Sequence, residues 1–200
     1  MQINNNIIKI LMVVNILIYV LVGYLSGSMT GIINSELDKW ASVPFINLLL
    51  DPNYQFQFWR LISCQFMHAD IQHIAFNMWC LYSIGTSLMQ FVSEKKFIII
   101  YLVSGLGGAI LSSITMHFSV GASGAVFGLA GYLATLLYFL KKDRPYLNIN
   151  ILGSIGFFII INLFFGFASE RIDNAGHIGG LLTGSILYLI TRYTSNNKYS

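Results

Sequence analysis

The chain has 200 residues, of which 56% are hydrophobic and only 10% are charged, and its mean hydropathy is +0.68. Soluble proteins have about a quarter of their residues charged, so this composition excludes an ordinary soluble domain and predicts a single polytopic membrane domain over residues 1–200. The net charge of +3 does not indicate nucleic-acid binding, because its meaning depends on the side of the membrane on which each charge lies.

The first predicted element is a near-continuous apolar run over residues 7–25. Its length suffices to cross a hydrocarbon core of about 30 Å. A cleaved signal peptide is the alternative, because Ser26-Gly27-Ser28 follows the run. The run exceeds the roughly 7–15 residues of a signal-peptide core, which favours a first transmembrane helix.

Residues 26–66 mix charged and aromatic side chains without a further apolar run. Aromatic side chains favour the headgroup level of a membrane, and amphipathic segments can lie there without crossing. We therefore expect a long interfacial first loop. Its aromatic residues are Trp40, Phe45, Tyr54, Phe56, Phe58 and Trp59.

Five further apolar runs follow this loop and complete a six-span pattern. They cover approximately residues 71–92, 97–117, 123–140, 147–167 and 176–191. The first four of these runs have the length of a transmembrane helix, and the last is slightly shorter. The predicted fold is therefore an all-α membrane protein, a bundle of six transmembrane helices.

The lysines and arginines are distributed unevenly between the two sides of this bundle. With the amino terminus inside, the cytoplasmic segments hold eight of them: Lys9, Lys95, Lys96, Lys141, Lys142, Arg144, Arg192 and Lys198. The outer segments hold three: Lys39, Arg60 and Arg171. By the positive-inside rule, both termini are predicted to be cytoplasmic.

Several polar side chains occur within or at the outer ends of the predicted spans, where they are costly enough to suggest function. They are His68, His73, Asn77, His117, Ser123 and His177. Counting about 1.5 Å per residue from the inner ends of their spans, Ser123, Asn77 and His177 lie roughly 27, 26 and 22 Å above those ends. Each residue alone is more typical of helix packing, but their common depth indicates a site.

The spacing of these residues suggests how they combine. His73 and Asn77 are four residues apart, so they project from one face of a helix. His68 precedes His73 by five residues, so it either faces elsewhere or belongs to the loop before the helix.

Glycines in two spans predict the contact that would complete such a site. Gly124 and Gly128 in the fourth span and Gly176, Gly180 and Gly184 in the sixth allow a close approach. If these faces pack together, Ser123 meets His177, and a serine beside a neutral imidazole is the basic requirement of an activated nucleophile. A helix that begins at Ser123 offers its unpaired amides to an oxyanion, with Asn77 and His73 as candidate side-chain donors. Asp173 lies on the preceding loop and is not assigned as a third member.

Four short motifs occur in order along the six spans. They are Trp59-Arg60, His73-Ile74-Ala75-Phe76-Asn77, Gly121-Ala122-Ser123-Gly124, and Gly176-His177 followed by Gly180 and Gly184. In these motifs and their order, the chain resembles the rhomboid intramembrane serine proteases over nearly its whole length. The match is closest to the minimal six-span bacterial type.

The resemblance implies a catalytic dyad of Ser123 and His177, with His73, Asn77 and the Ser123 amide around the oxyanion. It implies cleavage of membrane-protein substrates in or near a transmembrane segment, in a water-filled cavity that opens outward. The fifth span with its flanking loop is then expected to control access. No cofactor, metal or nucleic acid is expected, the partners being substrate proteins and the lipid bilayer, and the location a bacterial cytoplasmic membrane.

The chain departs from the family pattern at two places. Phe127 replaces a tyrosine common four residues after the nucleophile, which keeps an aromatic face for His177 without the hydroxyl. Met89-Gln90 stands where an acidic residue is common near the inner end of the second span, so a structural hydrogen bond expected there is in doubt.

Alternative functions receive less support from the sequence. The chain has no His-Glu-x-x-His motif and no pair of intramembrane aspartates. Cys64 and Cys80 have neither the number nor the spacing of a zinc site or a disulfide framework. A metal transporter would use the four histidines at 68, 73, 117 and 177 without carboxylate or thiol ligands at useful spacing. A catalytically inert relative that binds membrane clients would typically lack the serine or the histidine.

Overall fold

The computed structural model describes residues 5–27, 39–115, 118–146, 151–167, 169 and 172–196. Throughout these ranges the regular structure is helical, as predicted, and the one pairing of extended backbone is an isolated bridge between Ser42 and Ser119. A 3₁₀ turn, Cys64–Phe66, precedes the second long helix. The helices are α1 (Asn6–Ser26), α2 (Phe45–Leu50), α3 (Arg60–Ser63), α4 (Ile71–Leu88), α5 (Glu94–Ile114), α6 (Ser123–Asp143), α7 (Ile151–Phe167) and α8 (Asn174–Asn196).

Three of these helices, α1, α5 and α6, are long and apolar enough to cross a membrane, and α7 is a shorter apolar helix. Their outward faces carry large exposed apolar side chains such as Leu17, Ile99 and Phe157, which suit contact with lipid. The helix α4 has the length of a span, but polar residues in its first two turns, including His73 and Asn77, lower its hydropathy. The chain is therefore an integral membrane protein.

The helix boundaries differ from the apolar runs mainly at the ends that were predicted to face the cytoplasm. Residues 94–96 were expected in a loop but form the first turn of α5, because the Ser93 hydroxyl accepts the N–H of Lys96 at 3.4 Å and caps the helix. The helix α6 likewise continues through Lys141 and Lys142 to Asp143, since basic side chains suit a helix C-terminus. An apolar run marks the thickness of the hydrocarbon, whereas a helix can extend beyond it.

Other predicted boundaries shift or fall outside the described ranges. The helix α4 ends at Leu88 rather than near 92, so Met89 and Gln90 follow it, Met89 against the apolar core and Gln90 exposed. The helix α8 extends past the predicted 176–191 at both ends. The end of the third predicted run, with His117, and the first four residues of the fifth lie outside the described residues.

The helix α6 lies at the centre of the bundle, and its segment 125–133 is buried throughout. It packs against α8 through glycines on both helices. A Cβ atom added to Gly180 would overlap the carbonyl oxygen of Gly124, and one added to Gly184 would overlap that of Gly128. The predicted contact between these two glycine faces is therefore confirmed, and it brings the backbones together as small residues do in membranes.

A buried arginine joins two parts of the first loop beside the point where this loop pairs with the segment before α6. Arg60 is 4% exposed, and its Nη1 donates to the Ala41 carbonyl at 3.0 Å and its Nε to Oε1 of Gln57 at 2.7 Å. Next to Ala41, the amides of Ser42 and Ser119 each donate to the other's carbonyl, at 2.9 and 3.2 Å. This loop therefore reaches the strand-like residues that lead into α6.

Replacing Arg60 by alanine is expected to lower the free energy of unfolding by about 2–3 kcal/mol, because hydrogen bonds to charged groups contribute about 1.5–3 kcal/mol. Arg60→Lys keeps the charge but not the forked donor, so it should recover only part of the loss. Denaturation of the purified variants in detergent micelles measures both effects. Wild-type stability in the alanine variant would contradict this role of the side chain.

Candidate active site

The turn before α6 runs directly past two polar side chains of α4. Gly121 has a φ of +119°, a conformation that favours glycine. A Cβ atom at this position would lie only 2.6 Å from His73 Nε2 and 3.4 Å from Asn77 Nδ2. Glycine is therefore required here for both its conformation and its size, and it leaves room in front of the two side chains.

His73 and Asn77 lie on one face of α4, as their spacing predicts. The helix is fixed at its start by Asp70, whose Oδ1 accepts the N–H of His73 at 2.7 Å. Asn77 is 3% exposed, and its Nδ2 has no hydrogen-bond partner among the described residues. A buried donor without a partner costs about 1–3 kcal/mol, so this amide is a candidate to bind a polar group of a ligand.

Ser123 is the first residue of α6 and is half-buried. The first amides of a helix have no acceptor within it, and they lie at the positive end of the helix dipole. The two preceding amides have acceptors already: Gly121 donates to the Cys64 carbonyl at 2.9 Å and Ala122 to His68 Nε2 at 3.4 Å. The amide of Ser123 is thus the first in the sequence that is suited to an incoming anion.

His177 lies in the first turn of α8 and is 8% exposed. Its ring stacks on Phe127 of α6, with centroids 4.3 Å apart and planes inclined by 8°. A Cβ atom at Gly124 would lie 3.4 Å from the carbonyl oxygen of Gly176. Residues adjacent to Ser123 and to His177 are thus in contact, and the phenylalanine supplies the aromatic face that the sequence led us to expect.

Asp173 caps the start of α8. Its Oδ1 accepts the N–H of Gly176 at 2.8 Å, as an N-cap carboxylate does. Nδ1 of His177 is buried and has no hydrogen-bond partner within the part of the chain that the structure describes. The Asp173 carboxylate is therefore hydrogen-bonded to the backbone of α8 and not to Nδ1 of His177.

Two further titratable groups border the turn. Burial, and after it the His73 ring, lowers the pKa of His68 to about 3, so this imidazole is neutral at physiological pH. Burial, reinforced by Asp173, raises the pKa of the Cys64 thiol to about 12, which keeps it protonated and unsuited to be a nucleophile. In the described ranges, which exclude His117, no three His, Cys, Asp or Glu residues are arranged to hold a metal ion.

An apolar groove of about 510 Å³ lies between α4 and α7. Phe76 and Trp79 line it from α4, and Ile155 and Phe158 line it from α7. Ser123 and His177 do not line it, but the Phe158 ring packs 5.6 Å from that of Phe127, which in turn stacks on His177. The groove thus approaches the polar site from the side of α7.

Two features of the site escaped sequence reasoning. The contact between His68 and Ala122 joins residues 54 positions apart, and no spacing rule connects them. The groove is formed mainly by apolar side chains of the same types as those that face lipid, so the sequence does not distinguish them. The position of the groove depends instead on the separation of α4 and α7. The resemblance implied only that the fifth span, here α7, is involved in access.

The apolar helices define an integral membrane protein, and the first turns of α6 and α8 carry Ser123 and His177, the candidate site residues. Residues 55–194 match the family model of the Rhomboid domain. Because this match covers more than half of the chain, the chain belongs to the rhomboid family, as its four motifs led us to expect.

Curated relatives agree with this family. Over 131 residues, 65% of this chain, it is 43% identical to the Rhomboid protease GluP of Bacillus subtilis (strain 168). It is 42% identical over 157 residues to RHOMBOID-like protein 2 of Arabidopsis thaliana, and 28% identical over 159 residues to the Rhomboid protease AarA of Providencia stuartii. The matches to the latter two cover 77% and 64% of this chain. In the three relatives the matched parts make up 25%, 47% and 54% of the protein, so the chain spans about half of their length or less.

Proposed function

We propose that the chain is an intramembrane serine endopeptidase in which Ser123 and His177 form a catalytic dyad. The observation that carries the proposal is the contact between the first turns of α6 and α8, which bear these two residues. The unpaired Asn77 amide beside Gly121 supports it, because a protease needs donors for an oxyanion near its nucleophile.

The reaction then proceeds by acyl transfer. Neutral His177 accepts the proton of the Ser123 hydroxyl as the oxygen attacks the scissile carbonyl carbon. The Ser123 amide, His73 and Asn77 donate hydrogen bonds to the resulting oxyanion. The carbon–nitrogen bond breaks as the leaving amine takes the proton from His177, which leaves an ester between Ser123 Oγ and the acyl group. His177 then deprotonates water, which attacks the ester carbonyl; the bond to Oγ breaks, and Oγ takes the proton back from His177. No step requires a metal or a cofactor.

The proposal includes a location for the reaction. The chain forms one domain of six transmembrane helices, α1 and α4–α8, in a bacterial cytoplasmic membrane with both termini in the cytoplasm. Positively charged residues at the predicted inner ends support this orientation. Ser123 and His177 then lie in the outer part of the bilayer, where a cavity open to the outside can supply water.

The proposed substrates are membrane proteins that are cut in or near a transmembrane segment. The groove between α4 and α7 supports this class, because it is mainly apolar and its volume of about 510 Å³ can take part of such a segment. The groove also lies near the proposed dyad, since Phe158 in its lining packs against Phe127, and Phe127 stacks on His177.

The proposal is tested by reconstituting the purified protein in liposomes with a panel of single-span substrate proteins. Each substrate carries small residues near the outer end of its transmembrane segment. We expect cleavage at a defined bond in or near the span, identified by mass spectrometry of the products, and no effect of a metal chelator. A protein that binds the substrates without cleaving any of them would be an inert relative. Metal-dependent ion flux in the same liposomes would instead support a transporter.

Replacing Asn77 by alanine is expected to lower kcat by about 10²–10³, because one oxyanion donor contributes about 2.7–4 kcal/mol to the transition state. KM should change little. Asn15→Ala is the matched control, since Asn15 is also buried but bonds to Leu11 and Tyr101; it should affect stability and not kcat. A kcat within twofold of wild type for Asn77→Ala would exclude this donor.

A further inference from the structure

The segment between α3 and α4 holds the turn before Ser123 at two adjacent peptides. The Cys64 carbonyl accepts the Gly121 N–H at 2.9 Å, and His68 Nε2 accepts the Ala122 N–H at 3.4 Å. Ala122 is fully buried and His68 is 1% exposed, so bulk water cannot replace the imidazole as an acceptor. Because a buried amide needs a partner, the second bond depends on this one side chain.

The peptide between Gly121 and Ala122 changes the direction of the backbone. Gly121 has a φ of +119°, whereas Ala122 is already helical, with φ −71° and ψ −5°. The direction of the following amide, that of Ser123, depends on how this peptide is oriented. By accepting the Ala122 N–H, His68 Nε2 therefore fixes the direction of the Ser123 amide, which is a proposed donor to the oxyanion.

His68 also contacts the other side of the site. Its ring lies edge-on to that of His73, with centroids 5.1 Å apart and planes at 68°. His73 Nε2 in turn lies beside Gly121. One side chain thus touches both the turn that leads to the serine and an imidazole that is proposed to donate to the oxyanion.

We propose that His68 is a positioning residue: its Nε2 holds the Ala122 amide and its ring supports His73, so that two oxyanion donors converge. This inference rests on the protease function proposed above. His68 does not touch the reacting atoms, and it acts as the neutral tautomer with its proton on Nδ1, because only an unprotonated Nε2 can accept. A displacement of a catalytic group by about 1 Å can cost about a hundredfold in rate.

Two polar replacements separate positioning from packing. In His68→Gln the amide oxygen can occupy the position of Nε2, whereas in His68→Asn the shorter amide ends near the position of Nδ1. We expect kcat of the glutamine variant within about threefold of wild type. That of the asparagine variant should fall by about tenfold to a hundredfold, with KM unchanged. Both should unfold at similar temperatures.

The measurement is cleavage of a reconstituted transmembrane substrate, with thermal unfolding recorded for each variant. A wild-type kcat in His68→Asn, or equal losses of kcat in both variants, would overturn the positioning role. If the wild-type protein still cleaves the substrate, the proposed protease function is unaffected by that result. A wild-type protein that neither cleaves substrates nor reacts with a fluorophosphonate overturns both proposals. A lower kcat only in the asparagine variant supports the inference.

Discussion

Replacing Ser123 by alanine is expected to abolish cleavage, with kcat reduced by about 10⁴–10⁶, and His177→Ala should have an effect of similar size. The two residues act as a unit. Without His177 the Ser123 hydroxyl is a weak nucleophile, and without Ser123 the imidazole has no nucleophile to activate. The double variant should therefore be no slower than either single variant. Product formation in liposomes measures these rates.

A matched serine provides the control for this result. Ser112 on α5 is fully buried, and its hydroxyl has no hydrogen-bond partner among the residues described. Ser112→Ala should retain wild-type cleavage, and both serine variants should unfold within a few degrees of wild type, because neither removes a buried apolar group. A Ser123→Ala protein with a tenth or more of wild-type activity would contradict the proposed nucleophile.

Replacing Gly180 by alanine is expected to separate α6 from α8 and to lower both stability and activity. The new methyl group would overlap the carbonyl oxygen of Gly124, and a backbone atom cannot move aside as a flexible side chain can. Overpacking of this kind costs about 1–3 kcal/mol. Because Gly124 adjoins Ser123 and Gly180 lies one turn after His177, kcat should also fall, by about a hundredfold.

Two glycines on α7 serve as controls for this substitution. A Cβ atom at Gly153 or Gly156 would meet nothing within 4 Å among the described residues. Alanine there should be neutral or stabilising, by up to about 1 kcal/mol, since alanine is the better helix former. Unfolding in detergent and kcat are measured for all three variants. Equal stability of Gly180→Ala and Gly153→Ala would show that α6 and α8 do not depend on this contact.

The sequence predicts the parts of this molecule that depend on regular spacing. Apolar runs identify the long helices, the four-residue step from His73 to Asn77 identifies a shared face, and spaced glycines identify the contact of α6 with α8. Ser123 at the start of its helix follows from where its apolar run begins. These features follow from the regular spacing of residues along a helix, so they can be inferred from one sequence.

Other features depend on contacts that no local pattern contains. His68 could be assigned to a helix face or to a loop, and only the fold shows that it lies in the loop and accepts from Ala122. The first turn of α5 was expected in a loop because its residues are charged and lie outside the apolar run. The structure shows that Ser93 caps the helix before them. The groove between α4 and α7 depends on how far apart the two helices lie.

Covalent labelling by a fluorophosphonate tests the proposed nucleophile most directly, because the reagent reports on an activated serine and needs no knowledge of the substrate. We expect one adduct on the wild-type protein, mapped to Ser123 by peptide mass spectrometry, and no adduct on Ser123→Ala or His177→Ala. An adduct on another residue, or undiminished labelling of Ser123→Ala, would contradict the dyad.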